Sequence, residues 1–302
     1  MLQIVFLGTG SGIPTVERNH ASIYFHHEGW HALFDCGEAT QLQMLKAKIN
    51  FMKINHIFIS HWHADHWAGL IGLMQTMNLE KRRKPLYIHG PDAERFITDI
   101  MDLDYWGPKF NIIPKSLPFE GNEITLVHKT DEFEIFSIPV QHSVPAVAYA
   151  FRENDRVNVN IKKAEKLYGL KQGPFVGKLK EKGEIMFKGQ KIKLDDVAII
   201  KKGVKIVYSG DTEPCENLIK ISENADALIH DATYVEQREN RMHSGAREAA
   251  LTAKKANVEK LILTHFSRRY LNLKELEEEA KKVFPNTMVA KDFMKMDFRG
   301  KL

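Results

Sequence analysis

The segment Ser60-His61-Trp62-His63-Ala64-Asp65-His66 places three imidazoles and a carboxylate within six residues. It follows the β-branched run Ile54–Ile59 and precedes a helical pattern, so the four groups sit on a loop anchored at both ends. Zinc takes histidine nitrogen and aspartate oxygen tetrahedrally, and a catalytic site keeps one position open. His61 and His63, two apart, turn to the same side of an extended segment. Asp65 and His66, slightly further on, face a neighbouring ion. Two ions about 3.5–4 Å apart form a clamp for in-line displacement at phosphorus. A structural histidine cluster is the weaker alternative. The chain holds 14 histidines but only two cysteines, Cys36 and Cys215. That excludes a disulfide framework, fits a reducing compartment and argues against zinc–cysteine sites.

The elements that must hold this loop are legible around it. Ile4–Leu7, Ser22–Phe25 and Trp30–Phe34 are short apolar runs separated by turn signals, among them Gly8-Thr-Gly-Ser-Gly12. Ala39–Lys48 and Trp67–Asn78 carry helical spacing, and Pro85–His89 is another strand. The mix repeats after residue 196: strands at Val204–Tyr208, Ala227–Ile229 and Lys260–Leu263, helices at Gly245–Lys255 and Leu273–Val283. This predicts an α/β protein whose sheets are covered by helices. At 302 residues, 43% hydrophobic and 27% charged, the chain can bury a large core, and disorder, collagen and coiled coil are excluded. No apolar run approaches the roughly 18 residues of a membrane helix, and MLQIVFLGTGSG has no basic leader or cleavage site. A cytoplasmic protein without a membrane partner is expected.

One segment breaks the rhythm. Arg152–Asp195 has few sustained apolar runs, repeated lysines and five glycines, and it reads as a protruding insertion without a core of its own. From Arg152 to Ile200, twelve Lys/Arg stand against seven Asp/Glu, a balance of +5 in a chain whose net charge is +4. A locally basic segment on a nearly neutral body fits a protein that meets phosphate through one appendage. A solvated lysine-rich surface is the competing reading.

The loop has the form H-x-H-x-D-H and resembles the metallo-β-lactamase superfamily. Its companions come in that superfamily's order: Asp35 in Phe-Asp-Cys-Gly (34–37), His142 in Pro-Val-Gln-His-Ser-Val-Pro (139–145), Asp211 in Tyr-Ser-Gly-Asp-Thr (208–212) and His265 in Leu-Thr-His-Phe-Ser (263–267). The resemblance implies one domain over 1–302, a four-layer αβ/βα sandwich with two zinc ions at one edge. It assigns His61, His63 and His142 to the first zinc, and Asp65, His66 and His265 to the second. Asp211 would touch both, since a carboxylate offers two oxygens and an imidazole one nitrogen. Asp35 is expected to orient ligands. His20, His26, His27, His31, His56, His89 and His128 fall outside every motif and are expected to be structural or surface residues.

The superfamily spans lactamases, lactonases, glyoxalases and nucleases, so the metal loop alone selects no substrate. Four further features resemble RNase Z, the family of tRNA 3′-processing endoribonucleases. They are the opening Leu7–Pro14 leading to Arg18-Asn19, the tail Thr264-His-Phe-Ser-Arg-Arg-Tyr270, the loops His230-Asp-Ala-Thr233 and His243-Ser244, and a basic insertion at 152–195 with Gly173-Pro174 and Gly-Lys-Leu-Lys (177–180). The insertion resembles that family's flexible tRNA-gripping arm. The resemblance implies that Asp65 accepts a proton and that His243, supported by Asp231, donates one. It implies substrate contacts from Arg18, Asn19, Gly173, Pro174, Lys178, Lys180, Arg268 and Arg269. It further implies a homodimer acting on precursor tRNA, leaving a 3′-hydroxyl on the tRNA and a 5′-phosphate on the trailer. The chain departs from the family pattern at Val16, where lysine is usual, at Asp231 for glutamate and at Gly245 for threonine. A hydrolase of small phosphodiesters or lactones on the same fold is the alternative, and the insertion argues against it.

Overall fold

Leu2–Gly8 buries six of its seven residues, so it has no polar face for water and must be covered on both sides. The computed structural model, which describes residues 1–102, 107–236 and 242–301, makes this segment β1 of a seven-stranded sheet. β2 (Ser22–His27), β3 (Trp30–Phe34), β4 (His56–Phe58), β5 (Leu86–Pro91) and β6 (Ile112–Leu117) follow in order, and β18 (Lys295–Phe298) lies outside β1. The sheet is antiparallel from β18 to β3 and parallel from β3 to β6.

The second seven-stranded sheet begins at an edge with β7 (Thr125–Lys129), β8 (Phe133–Pro139) and β9 (Val147–Glu153). It continues through β14 (Lys205–Tyr208), β15 (Ala227–Asp231), β16 (Leu261–Thr264) and β17 (Thr287–Val289). Aromatic side chains fill the space between the sheets. Trp30 meets Phe133 at 4.7 Å, and Phe58 meets Tyr149 at 5.5 Å between ring centroids. Helices α1 (Thr40–Lys46), α3 (Gly69–Leu79) and α4 (Ala93–Asp102) cover the first sheet through Met44, Leu70, Met74 and Ile97. Helices α8 (Glu216–Ser222), α9 (Ala246–Lys255) and α10 (Lys274–Val283) cover the second through Leu218, Ala250 and Leu276. The layers are helix, sheet, sheet, helix: the expected αβ/βα sandwich.

Two expectations change. The helix expected from Trp67 begins earlier, as the single turn α2 (Ala64–Trp67), so Asp65 and His66 stand on a helical turn rather than on loop. The backbone of 36–37 permits this. The Cys36 amide donates to the His66 carbonyl and the Gly69 amide to the Cys36 carbonyl, and a Cβ on Gly37 would lie 2.3 Å from the Asp65 carbonyl oxygen.

The insertion, secondly, has a core. A separate unit spans Glu153–Val204 together with Arg299–Leu302. In it β10 (Arg156–Val159) pairs antiparallel with β13 (Ala198–Lys201), and β11 (Glu184–Phe187) pairs with β12 (Gln190–Lys193). Helices α5 (Ile161–Tyr168), α6 (Pro174–Lys182) and α7 (Leu194–Val197) bring Ala164, Val176, Leu179 and Val197 together with Leu170, which follows α5, and Ile192 of β12 in a buried cluster. The apolar residues are spread singly along amphipathic turns, which is why no run announced them. Local stops are strong: Asn160 caps α5 by accepting from the Lys163 amide, Pro174 opens α6, and Gly169 and Gly183 end the two helices at positive φ. No helix among the described residues is long and apolar enough to cross a membrane.

Candidate metal centre

The site is assembled at the carboxyl ends of β3, β4, β14, β15 and β16, where the strands hand over to loops. Asp35, just after β3 and at positive φ, is buried and is the organising residue. Its carboxylate accepts from the Ser60 amide at 2.7 Å, the Ser60 hydroxyl at 2.9 Å, the Tyr208 hydroxyl at 2.6 Å and His66 Nδ1 at 2.7 Å. The Tyr149 hydroxyl donates to the Ile59 carbonyl at 2.8 Å, and the Val147 amide donates to the Ser60 carbonyl at 2.9 Å. The loop is therefore tied to both sheets before any ligand atom is considered. Gly210, at φ 58° next to Asp211, lets the second sheet approach; a Cβ there would sit 2.6 Å from the Ser60 Cβ.

From this frame the side chains converge in two groups. In the first, His63 Nδ1 lies 3.1 Å from His61 Nε2 and 3.1 Å from His142 Nε2. In the second, His66 Nε2 and His265 Nε2 are 3.2 Å apart, and Asp65 Oδ2 is 3.4 Å from the former and 3.3 Å from the latter. Asp211 stands between the groups: one carboxylate oxygen is 3.3 Å from His66 Nε2 and 3.7 Å from His61 Nε2, the other 3.3 Å from His265 Nε2.

These residues fit two divalent cations. Ligand atoms of His61, His63 and His142 lie within 4.8 Å of one another, as do those of Asp65, His66, Asp211 and His265. The outward nitrogens of four imidazoles are engaged elsewhere. His66 Nδ1 meets Asp35, His265 Nδ1 meets the Thr233 hydroxyl at 2.9 Å, His142 Nδ1 donates to the Met242 carbonyl at 2.7 Å, and His61 Nδ1 lies 3.0 Å from the Ser60 hydroxyl. The inward nitrogens are left for a metal, as outer partners of ligating histidines usually arrange. Asp211 Oδ1 is a buried oxygen without a hydrogen-bond partner.

Charge agrees. Burial holds His61, His63 and His142 below the usual imidazole pKa, so they present neutral lone pairs. Burial also works against charge on His265, but Asp211, with Asp231 and Asp65, overrides it and raises the ring to about 10. A cluster so rich in buried carboxylate calls for positive charge. A third set, Asp211, Asp231, His243 and His265, is also within 4.8 Å. Asp231, however, is already committed: it accepts from the Thr233 amide at 2.9 Å, the Thr233 hydroxyl at 2.7 Å and His243 Nδ1 at 2.9 Å.

A cleft of about 360 Å³ opens over these groups, and Ser11–Ile13, His63, Asp65, His243, Arg268 and Arg269 form part of its lining. Both arginines are exposed. Arg18 and Asn19 are engaged with the protein itself. The Arg18 guanidinium is buried and donates to the Tyr270 carbonyl at 2.8 Å, while the Asn19 amide group donates to the Glu38 carbonyl at 2.7 Å. Gly173, Pro174, Lys178 and Lys180 belong to the separate unit, at the start and along the length of α6, where Lys180 Nζ donates to Asn158.

Sequence reading overlooked several supports. Tyr208, Ser60 and Thr233 sit inside recognised motifs, yet their hydrogen bonds to Asp35 and His265 are spatial. Asp292 gave no signal. It accepts from the Thr9 hydroxyl at 2.8 Å, the Asn19 backbone at 2.8 Å and Gln43 at 3.1 Å, fixing both ends of the loop 9–19. His20, expected to be structural or surface, is buried beside Gly37; neither ring nitrogen has a hydrogen-bond partner, and Nδ1 lies 3.8 Å from the Glu38 carboxylate.

Similarity to known proteins agrees with this geometry. The model of the β-lactamase superfamily domain matches residues 196–266, and that of the anti-Pycsar protein Apyc1 matches residues 2–98. The ribonuclease Z of Archaeoglobus fulgidus is 42% identical over 98% of this chain and 98% of its own. That of Thermococcus kodakarensis is 42% identical over 99% of this chain and 96% of its own. The chain belongs to the ribonuclease Z family. Human tRNase Z, short form, superposes with a TM-score of 0.71 at 25% identity, covering 98% of each chain. The fold protein YhfI of Bacillus subtilis, at TM-score 0.68 and 22% identity, shares the same metallo-β-lactamase architecture. Within the ribonuclease Z family the chain is an endoribonuclease, and its cleft has the chemistry a phosphodiesterase requires.

Proposed function

We propose that this ribonuclease Z removes 3′ trailers from precursor tRNA with two zinc ions, leaving a 3′-hydroxyl on the tRNA and a 5′-phosphate on the trailer. The convergence of two ligand groups on Asp211 carries the reading. His61, His63, His142 and Asp211 would hold the first ion, and Asp65, His66, Asp211 and His265 the second. Such ions, when bound, lower the pKa of water toward ~7 and offset charge that grows on a phosphoryl group.

The chain's own groups do the rest. Asp65 faces the cleft and accepts the proton that the attacking water gives up. Arg268 and Arg269 line the same cleft and hold the phosphodiester by charge. His243 donates to the departing 3′ oxygen. Burial works against its charge, but Asp231 at 2.9 Å outweighs that, raising its pKa and holding Nδ1 so that Nε2 carries the proton. Arg18 and Asn19 keep the Ser11–Ile13 wall in place.

The basic unit at 153–204 would grip tRNA through Gly173-Pro174, Lys178, Lys180 and neighbouring lysines. Exposed Leu42 and Leu45 on α1 and Leu79 at the end of α3 give two touching helices apolar side chains that a homodimer would cover. A cytoplasmic location fits that substrate and the two free cysteines.

The deciding experiment is incubation of purified protein with a 3′-extended tRNA transcript, mapping the cut. A single cut at the discriminator base is expected, abolished by chelator and restored by zinc. His61→Ala and His63→Ala should be inactive and should bind less than two ions per chain. Random cleavage, or cleavage undiminished by either substitution, would remove the reading.

A further inference from the structure

The loop that follows α3, Lys81-Arg82-Arg83-Lys84, has no part in the metal cleft. Its order comes from one residue. Arg82 is buried: Nε donates to the Lys84 carbonyl at 2.8 Å, Nη1 to the Met52 carbonyl at 3.1 Å, and Nη2 to the Pro85 carbonyl at 2.7 Å and to Asn55 at 3.1 Å. Its guanidinium also stands over the Phe110 ring, 5.5 Å from the centroid. This buried hub fixes the chain segments that carry five exposed cations around it. Lys81, Arg83 and Lys84 flank it in sequence; Lys53 follows Met52; Lys109 precedes Phe110, its backbone amide tied to Asn78 at 2.8 Å. Among the described residues none of the five has an acidic partner, and the run 80–84 holds a single acid, Glu80. A protein that wanted only solubility would intersperse both signs. Holding several cations unpaired on one rigid turn costs mutual repulsion that an external polyanion relieves.

The patch lies at the amino ends of β4 and β5, and the metal loop leaves the carboxyl end of β4. Five residue steps along extended chain take Asn55 to Ser60, roughly 16 Å at about 3.3 Å per residue. The patch therefore cannot contact the scissile phosphate.

We propose that this turn is a second RNA-docking surface, one that takes the sugar–phosphate backbone of the precursor away from the cleavage point. Its cations contribute affinity and registration and leave the chemical step alone. The choice of RNA over other polyanions rests on the ribonuclease reading of the cleft.

The test is a triple variant, Lys81→Gln/Arg83→Gln/Lys84→Gln, which keeps the buried Arg82. Binding of a 3′-extended tRNA is measured from 50 to 300 mM salt, apart from cleavage, in protein whose dimer and melting temperature match the parent. Each phosphate contact contributes roughly 0.7–0.9 to the slope of log K against log salt, so loss of three should flatten it by about two. Affinity at low salt should fall at least tenfold, while turnover of bis(p-nitrophenyl) phosphate stays within twofold. Unchanged affinity and slope would overturn the proposal. So would an equal loss on the small diester, since the turn would then act through the cleft. If the triple variant misfolds, a photo-crosslinker placed by Lys84→Cys decides instead: capture of the RNA supports the docking surface, and absence of any RNA adduct refutes it. Failure of the parent protein to cut tRNA would count against the cleft reading, which binding and crosslinking do not use.

Discussion

Asp35 shows how much one carboxylate can do without touching a substrate. Four donors from three residues meet it, and one of them is the imidazole of His66. Asparagine at this position keeps the size but replaces one acceptor oxygen with a donor, so either the single bond to Oδ1 or the three that meet on Oδ2 lose their acceptor. Asp35→Asn is expected to fold, to hold metal 10–100-fold more weakly and to lose activity in step. Chelator competition followed by activity reads this directly, and excess zinc should restore part of the rate. His243→Ala should behave differently. Metal content should stay at the parent level, and pre-tRNA cleavage should fall by about 10²–10⁴. A substrate with a good leaving group needs less proton donation, so p-nitrophenyl diesters should suffer less.

On the proposed function, two elements serve the substrate rather than the metals. The loop 9–19 is pinned by Asp292 at its base and by the Phe266 amide, which donates to the Thr9 carbonyl at 2.9 Å next to His265. Asp292→Asn exposes the Asn19 amide to a poorer partner. It should raise KM for precursor tRNA several-fold with kcat and small-diester turnover nearly unchanged. A parallel fall in all three would mean that the loop supports the metals instead. The second element is the basic unit. Because β10 pairs with β13 from Arg156↔Lys201 to Val159↔Ala198, an excision should keep that ladder and remove 161–196, closed by a short turn. Precursor binding should weaken and lose salt dependence, and hydrolysis of a small phosphodiester should survive.

At the scale of the molecule, the space between the sheets holds an unexpected store of histidine. His56 Nδ1 lies 3.1 Å from His89 Nε2, and the His56 and His128 rings are 4.3 Å apart. Burial, reinforced by His128, depresses His56 and His89 to about 3. Both rings are therefore neutral in the fold, whereas an unfolded histidine titrates near 6.5. Their folded pKa lies below the unfolded one, so stability is complete above about pH 6.5 and is lost progressively as pH falls toward 3. Urea unfolding should show a lower midpoint at pH 5 than at pH 7.5. His56→Phe/His89→Phe should flatten that difference, while an unchanged pH dependence would place the acid-sensitive groups elsewhere. The proposed homodimer is tested at the same scale. Mixing an arm-deleted subunit with an Asp65→Ala subunit should restore cleavage if one subunit's arm serves its partner's metals.

The sequence by itself determined the chemistry. H-x-H-x-D-H is local, its residues are close in the chain, and the short strands that precede Asp35, Asp211 and His265 are largely apolar runs that lead into polar loops. The family was legible for the same reason, since its motifs are short and contiguous. Tertiary structure decided what contiguity cannot carry. The start of α2 depends on a glycine approach between 37 and 65, and the anchoring of His66 on a carboxylate 31 positions earlier. The role of Asp292 depends on pairing the last strands with the first, nearly the full length of the chain apart. The core of the insertion was hidden because its apolar residues fall one per turn. The neutral histidines between the sheets look in sequence like any surface histidine, and only burial distinguishes them.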